Sequence, residues 1–208
     1  MSLFLHILYF FDGREYDVKI EKVVEWSNHL EATVYASIGD FSFAFFPTDY
    51  MAKKDVYKSG RTTSVKLSAL AMKAEKADSG FEFTGETALS FLAKIGQSPR
   101  YDETGNIEPV KFSTANMVAY IASDDRCPDE AQFQSPISMV RSFRFIGIGF
   151  WACDIVVHRN DESDGDIVVP LCFRRDFASN PKDGDPMQGW LWMMGEINSL
   201  HKINMNNS

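Results

Sequence analysis

No stretch of this sequence is apolar for long enough to cross a bilayer as a helix. The longest run, Leu3 to Phe11, is interrupted by His6 and falls well short of the ~20 residues a span takes. It has no basic n-region and no small-residue cleavage site, so it reads as a strand running into a turn at Asp12-Gly13 rather than as a leader peptide. The protein is therefore expected in the cytoplasm, with no membrane partner. Cysteine is scarce as well. Cys127, Cys153 and Cys172 are an odd number without a C-x-x-C pair, which excludes a disulfide framework and a zinc ribbon.

Motifs for named chemistries are missing. The four histidines, His6, His29, His158 and His201, do not stand in H-E-x-x-H or H-x-E spacing. Cys153 and His158, five apart, fall on opposite faces of a strand and so form no local thiol–imidazole pair. There is no Walker loop, no G-x-S-x-G elbow and no G-x-G-x-x-G after a strand. The acidic run Asp161 to Asp166 lacks the alternating ligands and distal glutamate of a calcium loop, and reads as a solvated hairpin tip. No catalytic residue, cofactor or metal is expected, and the chain is read as a non-enzyme. Basic residues are also in deficit, 21 against 29 acidic, for a net charge of −8. That excludes a protein gripping nucleic acid over its whole surface but leaves a local groove open. Lysine dominates the first half and arginine the second, so a planar, bidentate anion contact is expected in the second half.

What the chain does have is period-two patterning and an internal repeat. Leu30 to Met72 and Phe150 to Ile197 share one order: apolar strand, glycine–aspartate turn, apolar strand, Asp-aromatic step, polar loop with glycine, apolar strand. Ahead of the first copy, Tyr16 to Val24 sets Val18 and Ile20 against Lys19 and Glu21. Within it, Phe41, Phe43 and Phe45 share a face until Pro47 ends the strand. Ser64 to Ala74 continues as a strand, with a helix over Ala69 to Lys76 as the competing reading because its residue types favour helix. Ala88, Phe91, Leu92 and Ile95, with Thr84 as N-cap and Gly96 as C′, predict a helix over about 84–95. Gln97 to Pro109 reads as a linker, Val110 to Ala122 as strand or short helix, and Ser123 to Gln132 as an acidic loop. Four strands follow, over Ser138 to Ile146, Phe150 to His158, Ile167 to Phe173 and Gly189 to Ile197. The expected fold is mainly β: two antiparallel four-strand meander or barrel units in tandem, over residues 1–96 and 110–203, with the helix and the 97–109 linker between them and a loose tail at 204–208.

The run Ile167 to Phe173, Phe177 to Pro181, Lys182-Asp183-Gly184-Asp185 and Gly189-Trp190-Leu191-Trp192-Met193-Met194-Gly195 resembles the oligonucleotide-binding (OB) fold of single-stranded DNA-binding proteins. In that family an apolar strand is followed by a loop, a basic residue, glycine and a polar residue, then a strand containing glycine. The resemblance covers mainly residues 138–197 and implies a small closed β-barrel with a groove for single strands.

The candidate binding residues follow from these patterns. Trp190 and Trp192 share a strand face with Met194 and could either stack bases or fill a core. Arg174, Arg175, Arg141 and Arg144 could clamp phosphate or pair with nearby acids such as Asp176. Phe41 and Phe43 mark a face through which a structural subunit would self-associate. The leading functional expectation is a binding module that engages a basic protein, as an inhibitor or immunity-type protein does, with acidic loops at Asp124 to Glu130 and Asp161 to Asp166 steering the encounter. Single-stranded nucleic-acid binding is the alternative.

Overall fold

The computed structural model describes residues 13–124, 126–160 and 165–198. The expected strand Leu3 to Phe10, the tip of the acidic hairpin and the tail lie outside the described residues. The first half contains β1 (Arg14–Glu25), β2 (Ala32–Ile38), β3 (Phe41–Pro47), a single helical turn α1 (Tyr50–Lys53) and β4 (Thr62–Lys76). An inserted segment carries β5 (Gly80–Phe83), α2 (Gly85–Lys94), β6 (Val110–Ser113) and β7 (Ala119–Ala122). The second half contains β8 (Glu130–Phe145), β9 (Ile148–His158), β10 (Ile167–Arg174) and β11 (Pro186–Ile197). The mainly β expectation holds, and α2 forms over the predicted residues, with its chain leaving through Gly96 at φ +68°. The helix considered over Ala69 to Lys76 does not form, because those residues pair with β11 along their whole length. The ambiguous segment Val110 to Ala122 gives two short strands, and β8 begins at Glu130, inside the expected acidic loop.

Nine strands form one sheet in the order β1-β2-β3-β11-β4-β10-β9-β8-β7, with further pairings β1–β4 and β11–β8. These pairings close two circuits. One runs β1-β2-β3-β11-β4 and back to β1; the other runs β8-β9-β10-β4-β11 and back to β8. Exchanging β1–β4 with β8–β11 leaves the pattern unchanged. Each half is a Greek key, its fourth strand returning beside its first, and each fourth strand pairs in parallel with the third strand of the other half, β11 with β3 and β4 with β10. The repeat read from the sequence is therefore present, one strand longer than the copies that revealed it. Two units lying one after the other are not what the pairing gives, because β4 and β11 belong to both circuits.

The side chains follow this closure. One face of the sheet carries the main core, which includes Val18, Ile20, Val34, Phe43, Phe45, Val65 and Leu67 from the first half. The same core continues through Ile137, Ile155, Val169, Leu171, Leu191 and Met193 from the second. The opposite face holds a smaller cluster of Phe46, Leu70, Phe150, Ala152, Cys172 and Met194. Gly195 is required where β11 crosses β3, since a Cβ there would lie 2.7 Å from the Phe45 ring. The halves also touch away from the shared strands. The Tyr16 hydroxyl donates to the Val168 carbonyl at 2.8 Å and accepts from the Val168 amide at 2.9 Å. Arg14 bonds the buried Asp154 at 2.6 Å, and Phe41 stacks on His158 at 5.2 Å.

Candidate functional site

Four strands, β4, β11, β8 and β7, present a face opposite the main core, and their register arranges it as two cross-strand rows. The first row is Lys73–Trp190–Gln132–Ile121 and the second is Glu75–Gln188–Gln134–Ala119. With alternate residues on one face and cross-strand neighbours within contact distance, the eight side chains form a single surface. They line a cavity of about 300 Å³ together with Met117, Phe133 and Gly189, a size at the lower end for small-molecule sites.

The sequence builds this surface with a local irregularity. The β4–β11 register shifts between Trp190 and Leu191, leaving Met72 as the extra residue on β4, and such a bulge re-aims the side chains beside it. Gly189 is what allows it: a Cβ at that position would lie 1.9 Å from the Lys73 carbonyl oxygen. Lys73 and Glu75 pair at 3.2 Å, and the Gln188 amide donates to Glu75 at 3.2 Å. Those two contacts hold the Glu75 carboxyl below its ordinary pKa, the lysine contact contributing most. The half-buried Trp190 indole and the side-chain amides of Gln132 and Gln134 make no hydrogen bond among the described residues. The surface thus offers a flat aromatic ring, a cation, a carboxylate and side-chain amides.

The second expected tryptophan has a different role. The Trp192 indole N–H donates to the buried Asp129 carboxylate at 2.7 Å, and its ring packs on Phe46 at 5.0 Å. The two rings do share a strand face, as the spacing predicts, yet only Trp190 lines the cavity.

The four arginines lie elsewhere, and alternation along the strands divides them between two faces, Arg141 with Arg174 on one and Arg144 with Arg175 on the other. Arg141 pairs with Ala152 and Arg144 with Gly149 across β8–β9, and Arg174 pairs with Phe150 across β10–β9. Arg174 closes on Asp176 through two hydrogen bonds of 3.0 and 2.6 Å, the internal neutralisation weighed from the sequence. The Arg175 guanidinium lies 4.7 Å from the centre of the Trp151 ring, room for which comes from Gly149, where a Cβ would meet Arg175 at 2.7 Å. From Gln132 to Arg141 is nine residues of strand, about 30 Å, so the arginines do not join the Trp190 surface. Arg141 and Arg144 belong instead to the β8–β9 hairpin, and Arg174 and Arg175 to the end of β10 beside it. No acidic residue stands between Glu130 and Asp154; Met139 (64%) is exposed at the irregularity within β8, and Ile146 (67%) at the turn of the hairpin.

Phe41 and Phe43 are buried at 7% and 4% exposure, so the face expected to mediate self-association is interior. Phe41 stacks with Phe43 and His158 and meets Tyr120 edge-on. Cys153 and Cys172 are buried thiols, as their strand positions predict, and Cys127 is exposed. Of the acidic loop at Asp124 to Glu130, Asp124 pairs with Arg126 and Asp129 holds Trp192. The signal that sequence reasoning misses is the glutamine pair: Gln132 and Gln134 alternate at the start of β8, ahead of the strand expected from Ser138 and overlapping the expected loop only at Gln132. Among the described residues no group of three or more His, Cys, Asp or Glu side chains is arranged to hold a metal ion, and no helix is long and apolar enough to cross a membrane. Compared with protein-family models, curated proteins and solved structures, the chain has no match in any of the three.

Proposed function

We propose that this is a non-enzymatic binding protein of OB-like construction that holds single-stranded nucleic acid at Trp190. The observation that carries the reading is the cross-strand row Lys73–Trp190–Gln132, in which an unpartnered, half-buried indole lies between a cation and a free amide. An aromatic face of this kind holds a base by stacking, worth about 1–3 kcal/mol, while a lysine beside it meets the phosphate that follows. The two strand circuits support the reading, since a Greek key closed by a fifth strand is the architecture of small oligonucleotide-binding barrels. Fold alone does not carry function, so the weight rests on the site. A mixed-sequence single strand titrated at low salt is expected to quench tryptophan fluorescence, with the quenching lost in Trp190→Phe and weakened by added salt. Absence of quenching at low salt, or full quenching in Trp190→Phe, would overturn the proposal.

A protein partner is the second reading, favoured by the exposed Ile146 and Ile148 at the turn of the β8–β9 hairpin. On this reading the net charge of −8 steers a basic protein to the molecule, and the apolar hairpin end supplies the grip. Copurification of a basic protein that is released by high salt and abolished by Ile146→Asp would support it. Retention of the same protein by Ile146→Asp would remove the hairpin from the account.

A further inference from the structure

We infer that Arg144, Arg175 and Ser142 form a binding site for a phosphate monoester, on a surface separate from Trp190 and independent of the nucleic-acid reading. Strand register puts the three on one face. Arg144 stands opposite Gly149 across β8–β9, and the Arg175 amide donates to the Gly149 carbonyl at 3.0 Å just beyond β10. The row Arg144–Gly149–Arg175 therefore crosses three neighbouring strands, and Ser142, opposite Trp151, lies two residues along β8 on the same side. The glycine at the centre leaves a gap between two arginines whose backbones are two strand spacings apart, about 10 Å. Arg175 leans into that gap, since a Cβ on Gly149 would meet its Cδ at 2.7 Å. Its guanidinium lies 4.7 Å from the centre of the Trp151 ring, a cation–π contact that holds the fork in place without using its N–H groups.

All three side chains are exposed. Among the described residues neither guanidinium has an ion pair or a hydrogen bond, and the Ser142 hydroxyl has none. Nearby acids are engaged elsewhere. Asp176 takes both hydrogen bonds from Arg174, Asp183 accepts from the Val140 amide at 2.9 Å, and Asp154 holds Arg14. Two unpaired arginines on one face are unexpected in a chain of net charge −8, and what they lack is an anion. A guanidinium only donates, and a hydroxyl can turn its hydrogen toward a ligand. A phosphate monoester brings about −1.5 to −2 charge at neutral pH and three acceptor oxygens, which match two cations and a hydroxyl. A carboxylate or a phosphodiester brings a single charge and leaves one arginine unneutralised.

The test uses fluorotryptophan, with the Trp151 resonance assigned by Trp151→Phe. Inorganic phosphate is expected to move that resonance saturably while the Trp190 resonance stays in place, and chloride at matched ionic strength is expected to move neither. Arg144→Gln should weaken phosphate binding roughly tenfold, the scale of one hydrogen bond to a charged group. Arg175→Gln should weaken it at least as much, and Arg175→Lys should not restore it, because an ammonium loses the planar fork. A strand bearing a 5′-phosphate, compared with the same strand bearing a 5′-hydroxyl, separates the sources. Tighter binding of the phosphorylated strand than of inorganic phosphate assigns the site to strand ends; tighter or equal binding of inorganic phosphate assigns it to small phosphate monoesters. The proposal is overturned by a Trp151 resonance that phosphate leaves unmoved, by an equal shift with chloride or with the 5′-hydroxyl strand, or by full binding in Arg144→Gln. None of those results bears on Trp190, and a failure of strands to quench Trp190 leaves this site standing.

Discussion

Replacing Trp192 by phenylalanine removes one hydrogen-bond donor and part of one ring, and the structure says what each is worth. The indole N–H is bonded at 2.7 Å to Asp129, whose side chain is buried. Losing a hydrogen bond to a buried charged group costs about 1.5–3 kcal/mol. The smaller ring also gives up contact with Phe46, now at 5.0 Å between centroids, which adds roughly 0.5–1 kcal/mol. A total of about 2–4 kcal/mol, with a urea slope of about 2 kcal/mol/M, lowers the unfolding midpoint by about 1–2 M. The companion variant Trp190→Phe touches no such bond and is expected within about 0.5 kcal/mol of the parent. Asp129→Asn retains an acceptor for the indole and should fall between the two. The reasoning is refuted if Trp192→Phe unfolds at the parental urea concentration, or if Trp190→Phe is the more damaging substitution.

Three further outcomes are expected. Ile146, a β-branched residue at φ +48° followed by Gly147 at φ +77°, occupies a hairpin position that asparagine fills at less strain, so Ile146→Asn should raise stability by about 1 kcal/mol in a thermal melt; a lower melting temperature would contradict the assignment. Burial pushes the thiols of Cys153 and Cys172 up, that of Cys172 to about 12, while the exposed Cys127 is raised chiefly by the charge of Glu130. A thiol reagent should therefore label one cysteine slowly in the native protein and all three after denaturation, and a second native-state label would count against the core described. Finally, contacts with Lys54 first, then His29 and Tyr50, lower the Glu25 carboxyl to about 2. A folded pKa below the unfolded 4.5 means that its contribution is complete above that value and is lost as pH falls toward 2. The stability gap between parent and Glu25→Gln should be present at neutral pH and close on acidification, and a gap that persists in acid would contradict the ion pair.

Much of the strand content was legible because alternation reports burial on one face directly. The pattern bounds Ile167 to Phe173 and Phe150 to His158 nearly to their ends, and it sets Val18 and Ile20 on one face, which is the buried one. Alternation does not report which strand lies alongside. Nothing in Thr62–Lys76 or Pro186–Ile197 says that these two segments pair with each other over eleven residues and join the two halves. Each copy ends on the strand that the two circuits share, β4 in one and β11 in the other. The same limit explains the aromatic residues. Period two put Trp190 and Trp192 on one face, but the hydrogen bond from Trp192 to Asp129 spans 63 positions, and only the folded chain shows which ring is held and which is free. Phe41 and Phe43 read as a possible surface because nothing local reveals that His158 and Tyr120 pack on Phe41.

The account stands most directly on Trp190 being the residue that meets a ligand while Trp192 holds the sheet together. Fluorotryptophan incorporation gives one fluorine resonance for each of the four tryptophans, assigned by single Trp→Phe variants. Adding a single-stranded oligonucleotide at low salt is predicted to move the Trp190 resonance and leave that of Trp192 in place. An unmoved Trp190 resonance at saturating strand, or a shift confined to Trp192, would contradict it.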